Sequence, residues 1–294
     1  MLQTDSPFRE VPTTERGPFL LQEDVAFPRG SRSVGGVVVQ LVLATFNLRT
    51  ETGQDGPNAW PLRRERAAAM MRVMHADVVG TQEGSRAMVG DLLEHLDGYR
   101  AMGRSRTEQD RDEQCALFYR TAMATPEEIG HFWLSEVPEV PGSISWDSSL
   151  PRMCTWVRFR LWSTSRITVY NTHLDHRGAT ARRQGIALIG SRLAERCRQD
   201  GVPAALVGDL NAGEDSDVVR YLRKESGLVD AFSAALDPVG ATFHGFTGTR
   251  DGSPIDYIFV TPDIRVRHID VRREQIAGGY PSDHFPVCAM LEVP

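Results

Sequence analysis

The sequence predicts an α/β or α+β protein in which two β-sheets pack against each other. Three observations lead there. Strand-sized apolar segments outnumber helical ones, and some follow one another directly. The same segments show little polar alternation, as strands covered on both faces do. From Val37 onward these signals succeed one another without a long linker.

Val37–Phe46 reads as a buried strand. It is the most apolar stretch, yet too short to span a membrane and interrupted by Gln40 and Thr45. Arg63–His75 reads as a helix, because Ala67, Met70, Met71 and Met74 recur on one face at the helical period. Asp77–Thr81 is a short strand, and the helix after it carries Val89, Leu92, Leu93 and Leu96 as a stripe. Cys115–Arg120, Ile129–Leu134, Thr155–Leu161 and Ile167–His173 are further strands. Pro138–Pro151, Ser/Pro-rich and holding Trp146, is the longest loop among them. Gly178–Arg198 is a helix with Ile186, Ile189, Leu193 and Cys197 on its inner side. Ala204–Val207, Ile255–Val260, Ile264–Val271 and Val287–Leu291 complete the strands. Residues 1–36 read as a poorly ordered N-terminal extension and 37–294 as one domain. The extension places Asp5, Arg9, Glu10 and Glu15 among prolines, which is not the pattern of a signal peptide.

Composition narrows the function. With 294 residues, 41% of them hydrophobic and 24% charged, the chain can bury a sizeable core, so disorder and a disulfide miniprotein are excluded. Asp plus Glu (39) exceed Lys plus Arg (33), a net charge of −6, which disfavours holding nucleic acid by bulk positive potential. Lys224 is the only lysine, so fixed positive charge is almost entirely guanidinium. Cys115, Cys154, Cys197 and Cys288 lack metal-ligand spacing and read as buried free thiols. The expectation is a soluble, cytoplasmic protein with no membrane segment and no evident need of a protein partner.

Polar residues gather at the strand ends. Asn47 ends the first strand, Gln82-Glu83 the second, Asn171-Thr172-His173-Leu174-Asp175-His176 another, and Gly208-Asp209-Leu210-Asn211 another. Ser282-Asp283-His284 precedes the last strand, and Asp256 sits inside an apolar one. Singly, each has an ordinary role: Asn47 and Asp209/Asn211 as turn formers, Glu83 as a helix cap, His173 as a satisfied core histidine, Asp283-His284 as loop residues. Together these roles must explain five coincidences at strand ends, where sites in such folds are built. A carboxylate in an apolar strand, as at Asp256, costs several kcal/mol unless paired or bound to a cation.

The chemistry these groups suit is metal-assisted phosphoester cleavage. Glu83, Asp283 and the amide oxygen of Asn47 are hard donors fit for Mg²⁺ or Mn²⁺. No HExxH motif or Cys/His cluster points to zinc, and neither a phosphate-binding Gly loop nor a GxSxG elbow occurs. An Asp beside an Asn can position and deprotonate water, and a histidine paired with a carboxylate can be held protonated against phosphate oxygens or act as a base.

In order along the chain, Asn47, Gln82-Glu83, Asn171-Thr172-His173, Gly208-Asp209-Leu210-Asn211, Ile255-Asp256-Tyr257 and Ser282-Asp283-His284 resemble the motif blocks of the endonuclease/exonuclease/phosphatase superfamily. Further stretches are similar to a bacterial subgroup: Asp55-Gly56 through Trp60 and Arg63, Phe132 to Glu136, Pro151-Arg152 through Thr155-Trp156, and Thr242 to Phe246. The resemblance implies a four-layer α/β/β/α sandwich of two mixed sheets with the site at one edge. It implies Glu83 as principal metal ligand with Asn47, and Asp283 as a further ligand. Asp209 would orient or deprotonate the attacking water, and Asn211 would contact the phosphate. His284 would contact the scissile phosphate and pair with Asp256, while His173 would stand on the phosphate or leaving-group side. Arg152 is similar to an arginine kept near the phosphate.

Other residues are weaker candidates. His176 lies after a strand end and is as readily a surface loop histidine as a substrate contact. Trp146, His244 and Phe246 form either a stacking wall for substrate or core and loop anchors. Arg104 and Arg106 read either as a solvated pair or as the receiver of a second phosphate. The function expected first is Mg²⁺- or Mn²⁺-dependent hydrolysis of a phosphodiester, nucleic acid or nucleotide-like, without a covalent intermediate. The alternative is a phosphomonoesterase on a small sugar or inositol phosphate, which the acidic charge favours. A non-catalytic scaffold is the third reading; it predicts loss of catalytic positions, and none is lost.

Overall fold

The computed structural model describes residues 38–52, 54–107, 109 and 112–294. The expected N-terminal extension, 1–36, and Val37 lie outside the described residues. The elements run β1 (Val39–Asn47), α1 (Trp60–Val73), β2 (Val78–Gly84), α2 (Arg86–Glu94), β3 (Tyr99–Met102), β4 (Gln114–Arg120), β5 (Ala124–Trp133) and β6 (Met153–Leu161). They continue with β7 (Arg166–His173), α3 (Ala179–Asp200), β8 (Ala204–Asp209), α4 (Asp217–Lys224), β9 (Val229–Asp230), β10 (Asp256–Val260), β11 (Arg265–Val271) and β12 (Val287–Val293).

The strands form two six-stranded mixed sheets, ordered β11-β12-β1-β2-β4-β3 and β5-β6-β7-β8-β10-β9. Each contains one parallel pair, β1 with β2 and β7 with β8. The sheets lie face to face, β1 over β8, β2 over β7 and β4 over β6. Helices α1 and α2 pack together on the outside of the first sheet, α3 and α4 on the outside of the second. This is the expected four-layer sandwich, and its central strands are buried on both faces, which is why they lack alternation.

The sequence signals have local causes here. Pro61 sits in the first turn of α1, where its missing N–H costs nothing, so α1 starts at Trp60 rather than Arg63. Ser85 caps α2 by accepting from Met88 N, and Ser216 caps α4 by accepting from Val219 N. Helix α3 has no cap of its own: Asp147, from the 138–151 loop, accepts from Thr180 and Ala181 N. The α2 stripe is rotated from the expected one, with Met88, Leu92 and Leu96 buried and Val89 and Leu93 only half-buried.

Two features bring the sheets close enough to share a site. A Cβ on Gly80 would stand 2.4 Å from Val207 Cγ2 of the facing sheet, so only glycine permits this approach. Beside it a buried polar network crosses the interface. Gln82 Nε2 donates to Asn171 Oδ1 at 2.7 Å and to Thr45 Oγ1 at 3.1 Å. Asn171 Nδ2 in turn donates to the carbonyls of Thr81 and Ala116 at 2.9 and 2.8 Å. Gln82 and Asn171 thus lock the ends of β1, β2 and β7 together, since a buried amide with all its partners favours one register.

Candidate active site

The ends of β1, β2, β7 and β8, the start of β10 and the loop entering β12 meet at one edge of the sandwich. Parallel pairing places Asn47 beside Gln82 and His173 beside Asp209, and antiparallel pairing places Asp256 opposite Asp209. The expected site residues of all six blocks are therefore brought together by topology.

The strand ends are shaped to aim them. Between Thr81 and Gly84 the pairing of β2 with β4 slips by one residue, and Glu83 stands in this bulge at φ 63°. Asn211, just past β8, has φ 47°. Non-glycine residues rarely adopt this region, and such strain persists where surrounding structure holds it, commonly at functional sites. Gly208 is required for packing: a Cβ there would meet Thr172 O at 2.1 Å.

Asn47 holds the centre. Its Nδ2 donates to Glu83 Oε1 and Asp209 Oδ2, both at 3.0 Å, while its Oδ1 accepts from Arg49 N at 2.9 Å. The amide thus turns its nitrogen toward the two carboxylates and its oxygen toward the backbone of Arg49. Glu83 Oε2 accepts from Thr50 N at 2.8 Å. Asp209 Oδ1 accepts from Asn211 N at 2.8 Å. Asn211 Nδ2 donates to His173 Nε2 and Leu174 O, each at 3.0 Å, which puts the ring proton of His173 on Nδ1.

His284 Nδ1 lies 2.9 Å from Asp256 Oδ2, and its Nε2 lies 3.8 Å from Asp209 Oδ2. Thr242 Oγ1 accepts from Ile255 and Asp256 N at 2.9 and 3.1 Å and fixes the carboxylate's position. Burial works against a charge on His284, but Asp256, Asp209 and Asp283 outweigh it and hold the imidazolium up at about 10. His173 experiences burial and the positive fields of Arg152 and His284, so it is pushed well below the usual range and stays neutral. Asp209 is pushed up to about 7 by burial and by Asp256, against the pull of His284, Asn211 N and Asn47. Asp283 is raised by burial, with His284 opposing.

Arg63 is the residue whose part sequence alone leaves invisible. It is fully buried at the start of α1, and it donates to the carbonyls of Asn58 (2.8 Å), Leu48, Arg49 and Pro281 (3.2 Å). One guanidinium therefore ties the loop after β1 to the loop carrying Asp283. Burial lowers it to about 10, with Asp283 and Asp55 opposing. Ser282 Oγ makes the same junction by donating to Asn47 O at 2.7 Å.

The weaker candidates divide. Arg152 is buried, 3.7 Å from Asp175, 4.0 Å from Glu113 and 3.2 Å from His176 Nδ1, and with Glu83 and His173 it lines a small cavity. His176 is exposed at the mouth beside it. Phe246 stands 5.8 Å from the Arg63 guanidinium. Trp146 is 36% exposed in the loop whose Asp147 caps α3. His244 does not form an exposed wall: it is buried, stacked on Phe285 at 3.9 Å. Its neighbour Phe243 takes that place, 48% exposed with its ring 5.0 Å from that of His284. Arg106 is taken by Asp112 and Glu113 at 2.8 and 2.7 Å. Arg104 lies over Trp133 and lines a separate cleft with Arg86, Ser105 and Thr107.

A divalent cation suits this donor set. Ligand atoms of Glu83, Asp209 and His173 lie within 4.8 Å of one another, and the two carboxylates are hard donors braced by Asn47, Thr50 N and Asn211 N. Such an ion supplies Lewis acidity toward a phosphoryl oxygen and acidifies bound water.

An acidic cluster for a cation, a carboxylate-paired imidazolium and this sandwich together define a metal-dependent phosphoesterase, a hydrolase acting on ester bonds. The chain belongs to the Endonuclease/Exonuclease/phosphatase family, whose profile matches residues 44–284. Its solved relatives include an endonuclease/exonuclease/phosphatase family protein from Bacteroides thetaiotaomicron at 33% identity and TM-score 0.83, covering 88% of this chain and 96% of that one. A mannosyl-6-phosphatase from the same organism is also 33% identical, with TM-score 0.80, 85% of this chain and 99% of that chain covered. The catalytic domain of human nocturnin, 16% identical with TM-score 0.66, covers 87% of this chain and 95% of its own and shares the fold. No curated protein matches the sequence. Among the described residues no helix is long and apolar enough to cross a membrane.

Proposed function

We propose that the enzyme is a Mg²⁺- or Mn²⁺-dependent phosphomonoesterase acting on a small phosphorylated sugar. Glu83 is the principal metal ligand, assisted by Asp283, and Asp209 orients the attacking water. Protonated His284, steadied by Asp256, and the Asn211 amide receive the phosphoryl oxygens, with His173 and Arg152 toward the leaving group. Asn47 acts as the brace that sets Glu83 and Asp209 at working distance.

The observation that carries the substrate class is the charge balance beside the site. Three guanidiniums, of Arg49, Arg106 and Arg152, face four carboxylates, of Asp55, Asp112, Glu113 and Asp175, at 2.7–4.0 Å. A polyanion needs several unpaired cations along its path. These are taken, which supports a compact substrate with one phosphate. The 33% identical mannosyl-6-phosphatase is a relative of matching activity.

The phosphodiesterase reading ranks second, favoured by the motif blocks shared with nucleases. The test offers purified protein with Mg²⁺ or Mn²⁺ a panel of sugar phosphates, a diester reporter, and single- and double-stranded DNA and RNA. Release of inorganic phosphate from sugar phosphates is expected. Turnover of diesters alone overturns the reading.

A further inference from the structure

Gln114 lines two openings, the small cavity beside the catalytic cluster and the separate cleft that holds Arg104. The cleft encloses about 600 Å³, and its other walls include Arg86, Arg104, Ser105 and Thr107. Arg86 opens α2, and residues 104 to 107 follow β3. Both guanidiniums are exposed, and among the described residues no carboxylate lines the cleft. The catalytic edge differs, since Arg49, Arg106 and Arg152 each face an acid there at 2.7–4.0 Å.

The local packing holds these donors in place. The Arg104 guanidinium lies 5.2 Å from the centre of the Trp133 ring, a buried indole whose Nε1 donates to Arg106 O at 2.6 Å. Arg106 pairs with Asp112 and Glu113, whereas among the described residues no carboxylate pairs with Arg104. The field of Arg104 reaches His131, which burial first and that guanidinium second push down to about 4. Thr107 Oγ1 accepts from Gln109 N at 3.3 Å, which leaves its hydroxyl proton to donate, and the Gln114 amide adds N–H donors. Ser105 only shapes the loop, donating to Gln109 O and Asp112 O at 2.8 and 3.0 Å. A Cβ on Gly103 would stand 2.9 Å from Gln114 Oε1 and Ala116 Cβ, so glycine lets this wall close onto β4.

Guanidiniums, a hydroxyl and an amide without an acid among them form a set of donors, and the ligand such a set takes is an oxyanion. Two cations at one cleft suit a single phosphate group, whereas a nucleic-acid strand needs a row of them. The volume admits a phosphate borne on a small molecule. We propose that the cleft bounded by Arg86, Arg104, Thr107 and Gln114 binds a phosphate group other than the one being hydrolysed. Its carrier is either a separate phosphate compound, inorganic phosphate included, or the far end of a substrate. The site stands independently of which ester the catalytic cluster cleaves.

The test titrates inorganic phosphate by calorimetry, at low ionic strength, into the full chain freed of divalent metal by dialysis. Wild type and Arg104→Gln are compared, both checked for an unchanged melting transition. One phosphate affinity should fall about tenfold or more in R104Q, the worth of a charge-assisted hydrogen bond. Equal affinity in the two proteins, or no phosphate binding by wild type, overturns the site. Should R104Q fail to fold, Thr107→Val must weaken phosphate binding, and its failure to do so counts equally against the cleft. The carrier is then read from kcat/KM on a hexose 6-phosphate and a hexose 1,6-bisphosphate with Mg²⁺. A preference for the bisphosphate that drops about tenfold in R104Q places the substrate's second phosphate in the cleft. An unchanged preference, with phosphate affinity lost, supports a separate phosphate compound. Absence of turnover of either hexose phosphate counts against the sugar-phosphate reading alone and leaves the calorimetry to decide the cleft.

Discussion

The imidazole of His284 and the carboxylate of Asp256 form a buried pair, Nδ1 to Oδ2 at 2.9 Å, at the meeting point of β10 and the loop entering β12. Neither is stable there alone. An unpaired carboxylate in an apolar strand costs several kcal/mol, and an unpaired imidazolium gives up its proton instead. Asp256→Asn should therefore leave His284 neutral, with no charge to offer a phosphoryl oxygen. Activity should fall by ~10²–10⁴-fold, the usual span for losing a positioned acid–base group. Steady-state rates together with thermal melts check this. A D256N enzyme with near-wild-type rate would separate the pair from catalysis.

Arg63 predicts a different pattern. Its guanidinium satisfies carbonyls of Leu48, Asn58 and Pro281 as well as that of Arg49, the bonds to Leu48 and Pro281 being buried. Arg63→Ala orphans all of them and lets the loop after β1 part from the loop carrying Asp283. A loss of about 3–5 kcal/mol is expected, the range for breaking a buried hydrogen-bonded charge network. Because Asp283 and the Asn47 strand end share that junction, Mn²⁺ affinity by calorimetry should also drop at least tenfold. Arg63→Lys should rescue little, since an ammonium cannot reach carbonyls spread around a planar fork.

These two cases show why the sequence was legible in part. Strand ends carrying Asn47, Glu83, His173, Asp209, Asp256 and His284 are visible because topology sends strand termini to one edge whatever the side chains between them do. The long central strands were visible for a related reason, since burial on both faces demands unbroken apolar runs. Arg63 was legible only as a position in a stretch similar to a bacterial subgroup: its charge matches that of Arg64 and Arg66, and its position under the two loops is what reveals its part. The same limit explains α4. Its eight residues bury Val218, Val219 and Leu222 between charged neighbours, too short a window for a period to emerge. β3 and β9, four and two residues at sheet edges, are specified by their neighbours rather than by their own sequence. Phe243 and His244 are not told apart for similar cause, as adjacent aromatics differ only in which one the loop turns inward.

That difference is testable. Phe243 is half-exposed against His284, whereas His244 is stacked on Phe285 and accepts from Gly248 N at 3.2 Å. Phe243→Ala should raise KM for a sugar phosphate about tenfold with a stability change below ~1 kcal/mol, as expected for a partly solvated ring facing substrate. His244→Ala should do the reverse, costing about 2–3 kcal/mol for the emptied buried site while altering KM little. Equal effects on KM would mean the loop moves as a unit and neither ring has a separate part.

Asp175 sets an acid limit on the architecture. Its carboxylate accepts from Arg177 N (2.9 Å), Gly178 N (2.7 Å), Ser149 N (3.0 Å) and Ser149 Oγ (2.7 Å). Although burial opposes ionisation, these bonds depress its proton affinity well below the ordinary carboxylate range. A depressed folded-state pKa contributes stability that is present above the unfolded value near 4 and is lost as pH falls through the folded one. Hydrogen bonds to a charged group of this kind are worth on the order of 2 kcal/mol in total. Asp175→Asn should thus be less stable than wild type by about that amount at pH 7, and the gap should close as pH drops below about 4. Urea midpoints at pH 7, 5 and 3 give the comparison. A gap that persists unchanged at pH 3 would mean that Asp175 acts through packing rather than charge, and the loop bearing Trp146 and Asp147 would then owe its place over the α3 terminus to other contacts.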